Sequence, residues 1–279
     1  MKRTIPFVKM VAAGNDFLII DARRLRRRGL PWKAVSRAVC DRHHGVGADG
    51  LLVLEPSTKA NVRMRVFNPD GSEANMCGNG ARCVVVYLQQ GAGDSAVTIE
   101  TKAGFLSATV RGERVAMRMT DPTRLRTDLS LRVNGKTLRA LHLNTGVPHT
   151  VVPVTQLDRV AVDALGRTLR FHRAFSPAGT NVNFIQPSGR RLRVRTYERG
   201  VEAETLACGT GVAASAVAYV LGNGWRGRRQ KHRIDVETRG GDRMAVSFTL
   251  MPSGRGVAVT DLILEGRARR ICEGTVQWP

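Results

Sequence analysis

Aromatic residues are scarce: 3 Trp, 3 Tyr and 8 Phe, or 5% of 279 residues. Sequence-tolerant binding of single-stranded nucleic acid stacks bases on aromatic rings. The basic clusters Arg26-Arg27-Arg28, Arg190-Arg191-Leu192-Arg193 and Arg226-Gly227-Arg228-Arg229 have few rings between them and match no nucleic-acid motif. Lysine is scarce too, 7 of the 44 basic residues, the other 37 being arginine. None is identifiable as the anchor of a pyridoxal group, and no cofactor is expected. No apolar run approaches the roughly 20 residues that span a bilayer, so no membrane partner is expected. The opening Met1-Lys2-Arg3 imitates a signal-peptide start, but Lys9 and Asp16 interrupt the next residues before an apolar core can form. A cytoplasmic location is the expectation. Cysteine is limited to Cys40, Cys77, Cys83, Cys208 and Cys272. Their odd number suits no disulfide framework, and without a Cys-x-x-Cys or His-x-x-x-His pairing no metal site is expected.

What the chain does have is positive charge, +21 net. Taken alone this points to a polyanion. The basic residues are instead spread from Arg23 to Arg270 in short clusters, as on a solvated surface, and no nucleic-acid partner is expected. The same charge raises the local concentration of small carboxylates.

The organising stretch is Asn68-Pro-Asp-Gly-Ser-Glu-Ala-Asn-Met-Cys77-Gly-Asn-Gly-Ala-Arg-Cys83, followed by the apolar run Val84 to Leu88. The pattern predicts a helix that starts beside Cys77. Unpaired backbone NH groups and the helix dipole favour negative charge there, so the thiol pKa is expected to fall. Glu202-Ala-Glu-Thr-Leu-Ala-Cys208-Gly-Thr-Gly211, ahead of Val212 to Leu221, repeats the arrangement.

Around these motifs the chain reads as strands. Phe7 to Met10 and Phe17 to Ile20 flank the turn Ala13-Gly14-Asn15-Asp16, and a short helix runs from Pro31 to Cys40. Gly45-Val-Gly-Ala-Asp-Gly50 has the letters of a dinucleotide fingerprint, but it precedes the strand Leu51 to Leu54 instead of following one, so that reading is rejected. Val62 to Phe67 is a strand, residues 97 to 119 form a meander, and Asp121 to Thr137 is a basic, polar segment near a domain boundary. Strands Val182 to Ile185, Leu192 to Tyr197, Ile234 to Thr238 and Met244 to Leu250 complete the second half. The two cysteine motifs correspond, and Asn15 after Ala13-Gly14 parallels Asn181 after Gly179-Thr180. The expected fold is α/β (α+β), with two pseudo-symmetric lobes of mostly antiparallel strands wrapped around one helix each. The lobes are residues 1–120 and 121–263, with a tail, 264–279, packing back on the first.

Two facing thiols can invert a carbon centre, one removing a proton while the other delivers a proton to the opposite face. Helix NH groups of Gly78-Asn79 and Gly209-Thr210 would hold a carboxylate and stabilise the developing charge.

At these residues the chain resembles the diaminopimelate epimerases. The matching blocks are Gly14-Asn15-Asp16-Phe17, Asp41-Arg42-His43 with Gly45 to Gly50, Asn68 to Arg82, Pro148-His149, Asn181, and Tyr197 to Gly200 with Glu204-Thr205 and Ala207 to Gly211. Proline and hydroxyproline racemases of similar fold carry His where Asn79 stands, and related phenazine-pathway isomerases lack the paired cysteines. The resemblance implies interconversion of LL- and meso-diaminopimelate in lysine and peptidoglycan-precursor biosynthesis. It implies Cys77 and Cys208 as the acid-base pair, with His149 and Glu198 in support. Asn15, Asn68, Asn181 and Arg199 would contact the amino-acid substrate, with Gly78, Asn79, Gly209 and Thr210 at the reacting carboxylate. A planar guanidinium at Arg199 suits a distal carboxylate. A homodimer is the expected assembly, although the tail lacks an aromatic residue that helps some relatives dimerise.

Taken singly, each residue has a plainer role. Cys40, Cys83 and Cys272 read as inert small hydrophobes, His43 and His44 as structural, and Arg82 as a brace for the helix or the lobe interface. Val147 and Gly50, where some relatives carry Asn and Gln, keep open a racemase of another amino acid. The cysteine pair alone also permits a thiol redox protein, and the charge alone a nucleic-acid-binding module.

Overall fold

A computed structural model describes residues 3–25, 29–89, 96–254 and 256–278, so the cluster Arg26-Arg27-Arg28 lies outside the described residues. The chain divides into two units, Met1–Met117 with Gly266–Pro279, and Arg118–Glu265.

The first unit opens with β1 (Arg3–Ala12), β2 (Asn15–Asp21) and α1 (Trp32–Cys40), then β3 (Gly50–Glu55), β4 (Val62–Phe67) and β5 (Glu73–Ala74). Next come α2 (Gly78–Leu88), β6 (Val97–Thr101), β7 (Gly104–Arg111) and β8 (Arg114–Arg118). The second unit contains β9 (Thr123–Val133), β10 (Lys136–Asn144), β11 (Pro148–Pro153), α3 (Val162–Arg170), β12 (Asn181–Ser188), β13 (Arg191–Glu198) and β14 (Ala203–Thr205). It continues with α4 (Gly209–Gly222), β15 (Gln230–Thr238), β16 (Arg243–Ser253) and β17 (Gly256–Arg267). The last strand, β18 (Arg269–Trp278), pairs with β1 and so belongs to the first unit.

Strand pairing repeats between the units. In the first, β1 pairs antiparallel with β18 and β2, β2 runs parallel to β3, β3 pairs antiparallel with β4, and β4 pairs with β5 and runs parallel to β6, which pairs with β7. In the second, β10 pairs with β9 and β11, β11 runs parallel to β12, β12 pairs with β13, and β13 pairs with β14 and runs parallel to β15, which pairs with β16. Each parallel step needs a crossover, and α1 and α3, then α2 and α4, supply the crossovers at corresponding points.

This order corrects one correspondence drawn from the sequence. Asn181 opens β12, whose counterpart is β3, whereas Asn15 opens β2, whose counterpart is β11 with Pro148 first. A glycine shortly before an asparagine marks a turn into a buried strand at either place, and that local signal does not say which strand comes next.

Side-chain alternation sorts each sheet onto two helices. In β2 and β3, Phe17, Ile19, Leu52 and Leu54 pack with Ala81, Val84 and Val85 of α2. Leu18, Ile20, Leu51 and Val53 pack on the opposite side with Val35 and Val39 of α1. Strands buried on both faces need continuous apolar runs, which Phe17 to Ile20 and Leu51 to Leu54 provide. In the second unit, Val182, Phe184 and Tyr197 pack with Val162 and Leu169 of α3. The other face of β12 and β13 carries Asn183 and Thr196, both buried. α4 is buried from Gly211 through Ala218, so it needs the small residues Ala213, Ala214, Ser215, Ala216 and Ala218.

Strands β17 and β18 lie beyond Leu250, where the expected strands end, and two further elements depart from the sequence expectation. The segment Asp121 to Thr137 contains β9, where Leu129, Leu131 and Val133 are buried while Ser130 and Arg132 between them are exposed. Its arginines line the wet face of a half-buried strand. The helix α3 was not anticipated, because Gly166 breaks the apolar pattern at a position where a side chain cannot fit. A Cβ there would sit 2.5 Å from Tyr197 Cβ and 2.6 Å from its Cγ.

Replacing Gly166 by alanine gains about 1 kcal/mol of helix propensity but forces α3 off β13, and overpacking costs about 1–3 kcal/mol. With a Cβ 2.5 Å from that of Tyr197 the cost lies at the upper end of that range, so urea unfolding of G166A is expected to show net destabilisation approaching about 2 kcal/mol. An unchanged or raised midpoint would mean that α3 yields at little cost.

Candidate active site

Each unit presents a cysteine as the N-cap of a helix. Cys77, half-buried, is extended (φ −141°, ψ 115°) ahead of α2, and its sulfur accepts a hydrogen bond from the Gly80 NH at 3.4 Å. Cys208 is extended (φ −121°, ψ 110°) ahead of α4 and buried. The approach is alike in both. A tight turn with positive φ at Gly71 (82°) or Gly200 (94°) leads into the short strand β5 or β14. Glycine reaches this backbone region without the steric penalty a Cβ imposes.

In the first unit Asn79 and Asn15 are brought together. Asn79 Nδ2 donates to Asn15 Oδ1 at 2.6 Å, Arg82 Nη2 donates to Asn79 Oδ1 at 2.6 Å, and Asn15 Nδ2 donates to Asp49 Oδ2 at 3.1 Å. Asp49 also accepts from Arg42 Nη2 at 2.8 Å. Both amides are thereby fixed in orientation, with Arg82 fully buried beneath them. Asp16 accepts from Arg42 at 2.8 Å and pairs with Lys9 at 3.0 Å. Burial would raise its pKa, but Arg42, Lys9 and the Asp49 NH outweigh that and hold the carboxyl at about 2. Asn68 stands in the exposed turn before β5, where its Nδ2 donates to Ser72 Oγ at 2.9 Å. Gly78 has open space where a Cβ would stand.

In the second unit Cys208, Thr210 and His149 are contiguous. Thr210 Oγ1 lies 3.4 Å from Cys208 Sγ and 3.0 Å from His149 Nε2, and His149 Nδ1 lies 3.0 Å from Asn183 Nδ2. The register between β11 and β12 sets His149 beside Asn181. Asn181 Nδ2 donates to the Pro148 carbonyl at 3.0 Å, and its Oδ1 accepts from the Arg199 backbone NH at 2.8 Å. The Arg199 guanidinium donates to the Ala178 carbonyl at 3.1 Å. Gly209 is the first residue of α4.

Burial governs the titratable groups here. It pushes the Cys208 thiol up to about 12, and the neighbouring Glu198 carboxylate adds to this, while Thr210 and the NH groups of Gly211 and Thr210 oppose it. The lowered pKa expected at a helix N-terminus is therefore not found at Cys208: loss of solvent outweighs the capping donors. Glu198 is itself raised by burial against a hydrogen bond with Thr205. His149 is driven down to about 3 by burial, with His142 and Arg199 contributing, and is neutral. Burial likewise raises Cys40 to about 11 and also raises Cys83, which makes both poor nucleophiles.

Asn183 and Thr196 were not identified from the sequence, nor were Asp16 and Asp49. The available signal was alternation. Asn181 and Asn183, two apart in a buried strand, share a face, and a second polar residue on a buried face has to be hydrogen-bonded.

A sequence model of the family described as diaminopimelate epimerase matches residues 7–125 and 141–249. The chain is similar to the diaminopimelate epimerase of Aquifex aeolicus, 41% identical over 96% of each chain. It is also similar to that of Archaeoglobus fulgidus, 44% identical over 85% of this chain and 87% of the relative. Among solved structures, a PhzF-family phenazine biosynthesis protein of Bacillus anthracis shares the fold at TM-score 0.72 and 20% identity, over 98% of this chain and 99% of that one. A hydroxyproline epimerase of Agrobacterium vitis does so at TM-score 0.69 and 17% identity, over 99% and 94%.

The state of His149 makes the second unit acid-sensitive. Its folded pKa, about 3, lies below the value of 6.5 for an unperturbed histidine, so the unfolded chain takes up the proton first as pH falls. Stability is complete above about 6.5 and declines toward 3 at about 1.4 kcal/mol per pH unit. Denaturant unfolding of H149Q between pH 6.5 and 4 is expected to show a slope shallower by that amount. A slope equal to that of the parent chain would place a proton on His149 in the folded state.

Proposed function

The chain belongs to the diaminopimelate epimerase family, and from that membership we propose that it interconverts LL- and meso-diaminopimelate by two-thiol acid-base catalysis, a step of lysine biosynthesis. The observation that carries the chemistry is the repetition, in two units of equivalent strand order, of a helix whose N-cap is a cysteine. Inversion at carbon needs a base on one face and an acid on the other, and two equivalent motifs supply one thiol each.

In one direction Cys77, as thiolate, takes the α-proton while Cys208, which burial keeps protonated, gives its proton to the opposite face. The C–H electron pair is held on the substrate as a carbanion until the second proton arrives. Afterwards Cys77 is the thiol and Cys208 the thiolate, and the reverse reaction restores the first state. Backbone NH groups of Gly78-Asn79 and Gly209-Thr210 bind the α-carboxylate, where negative charge grows in the transition state. Asn15, Asn68 and Asn181 orient the substrate, Arg199 binds the distal carboxylate, and Glu198 and His149 support proton transfer and the ammonium group.

The test is conversion of LL-diaminopimelate to the meso form, followed by chiral chromatography. Positioned acid-base groups contribute about 10²–10⁴-fold, so C77S and C208S are each expected to lose activity by at least about 10²-fold with the fold intact. Full activity in either variant, or no conversion by the parent chain, would contradict the proposal.

A further inference from the structure

In the second unit a chain of side chains ends on the Cys208 sulfur: Thr196, Asn183 and His149, all buried, then the half-buried Thr210 and finally Cys208. Which atom donates at each link is set by the one group in contact with the chain that has no choice. Asn183 is fully buried, and its Nδ2 lies 3.5 Å from the Thr150 carbonyl, which can only accept. The amino side of the amide therefore faces Thr150 and His149. The carbonyl side faces Thr196 Oγ1 at 3.0 Å and the bare Cα of Gly211, where a Cβ would come within 2.4 Å of Oδ1.

An amide NH 3.0 Å from His149 Nδ1 needs a lone pair on that nitrogen. A neutral imidazole carries its proton on one nitrogen only, so the proton is on Nε2. Nε2–H then donates to Thr210 Oγ1 at 3.0 Å. With its oxygen accepting on that side, the Thr210 hydroxyl has its remaining neighbour, the sulfur at 3.4 Å, to donate to.

We propose that Asn183 is a positioning residue that fixes His149 as the Nε2–H tautomer, so that the Thr210 hydroxyl turns its proton onto the Cys208 sulfur. At each link of the chain the donor stands on the side away from the thiol and the acceptor on the side nearer it. When Cys208 becomes a thiolate, that hydrogen bond joins the NH groups of Thr210 and Gly211 in holding the charge, against burial and the facing Glu198 carboxylate. When Cys208 is a thiol, its S–H points away from Thr210. The charged or titratable groups facing His149 are His142 and Arg199. Both act against a second proton on the ring and so keep it neutral. This inference rests on Cys208 being one of the two reacting thiols.

Its test needs no turnover, so it can fail while the epimerase proposal stands. In ¹⁵N-histidine-labelled protein, with the His149 signals assigned by their loss in H149Q, the ring is expected as Nε2–H. N183D replaces the amide by a near-isosteric acceptor and is expected to switch His149 to Nδ1–H. Thr210 then donates to the imidazole and the sulfur loses its donor. Alkylation of Cys208 by iodoacetamide across pH, followed by peptide mass spectrometry, reads the consequence. A hydrogen bond to an ionised group is worth about tenfold in thiolate population, so N183D and T210V are each expected to slow alkylation about tenfold below the midpoint. T210S should match the parent chain, and N183D added to T210V should change nothing further. An Nδ1–H tautomer in the parent chain, a T210S variant as slow as T210V, or additive effects in the double variant would each overturn the proposal.

Discussion

Loss of solvent and helix capping pull in opposite directions on the Cys208 sulfur. Burial favours the neutral thiol, while the NH groups of the first turn of α4 and the Thr210 hydroxyl favour the thiolate. Burial is the larger effect at rest. A thiol that keeps its proton until a carbanion forms nearby is suited to act as an acid, and donors already aimed at the sulfur limit the reorganisation when it becomes a base. On the proposed two-thiol mechanism the second unit has to meet both demands at once. The helix behind the thiol is built from alanines, so strands can surround it and exclude water. Among the polar residues admitted to that core, Asn183, Thr196 and His149 are hydrogen-bonded to one another or to the thiol's neighbour.

The first unit reaches the same motif by the same strand order but surrounds it differently. Amides and charged groups support α2: Arg82 beneath Asn79, Asn79 to Asn15, Asn15 to Asp49, and Asp49 to Arg42. Cys77 is half-buried where Cys208 is buried. The two units thus share the backbone device, a turn with positive φ, a short strand and a cysteine N-cap, and differ in the side chains that support it.

Much of this was legible in the sequence. Paired Cys-Gly-x-Gly turns ahead of apolar runs marked both helix starts, and the continuous runs Phe17 to Ile20 and Leu51 to Leu54 marked strands covered on both faces. Strand order was less legible. Asn15 and Asn181 sit in similar turns, yet they open strands that are not counterparts, because turn chemistry is local and strand pairing is not. Helix α3 was hidden by Gly166, whose reason lies in the ring of Tyr197, 31 positions away in the chain. The raised pKa of Cys208 is not legible locally, because capping is written in the local sequence, whereas burial is produced by strands from the whole unit. Asn183 escaped notice for a related reason: its role emerges only when β11, β12 and α4 are assembled around it.

The central claim is that two thiols act on opposite faces of one carbon, and the fate of the α-hydrogen tests it most directly. In deuterium oxide, early in the reaction from LL-diaminopimelate, a two-thiol site is expected to give meso product with deuterium at the inverted centre while the recovered LL substrate stays unlabelled. Deuterium entering recovered substrate and product at equal rates would show that a single group both removes and returns the proton, and would contradict the account.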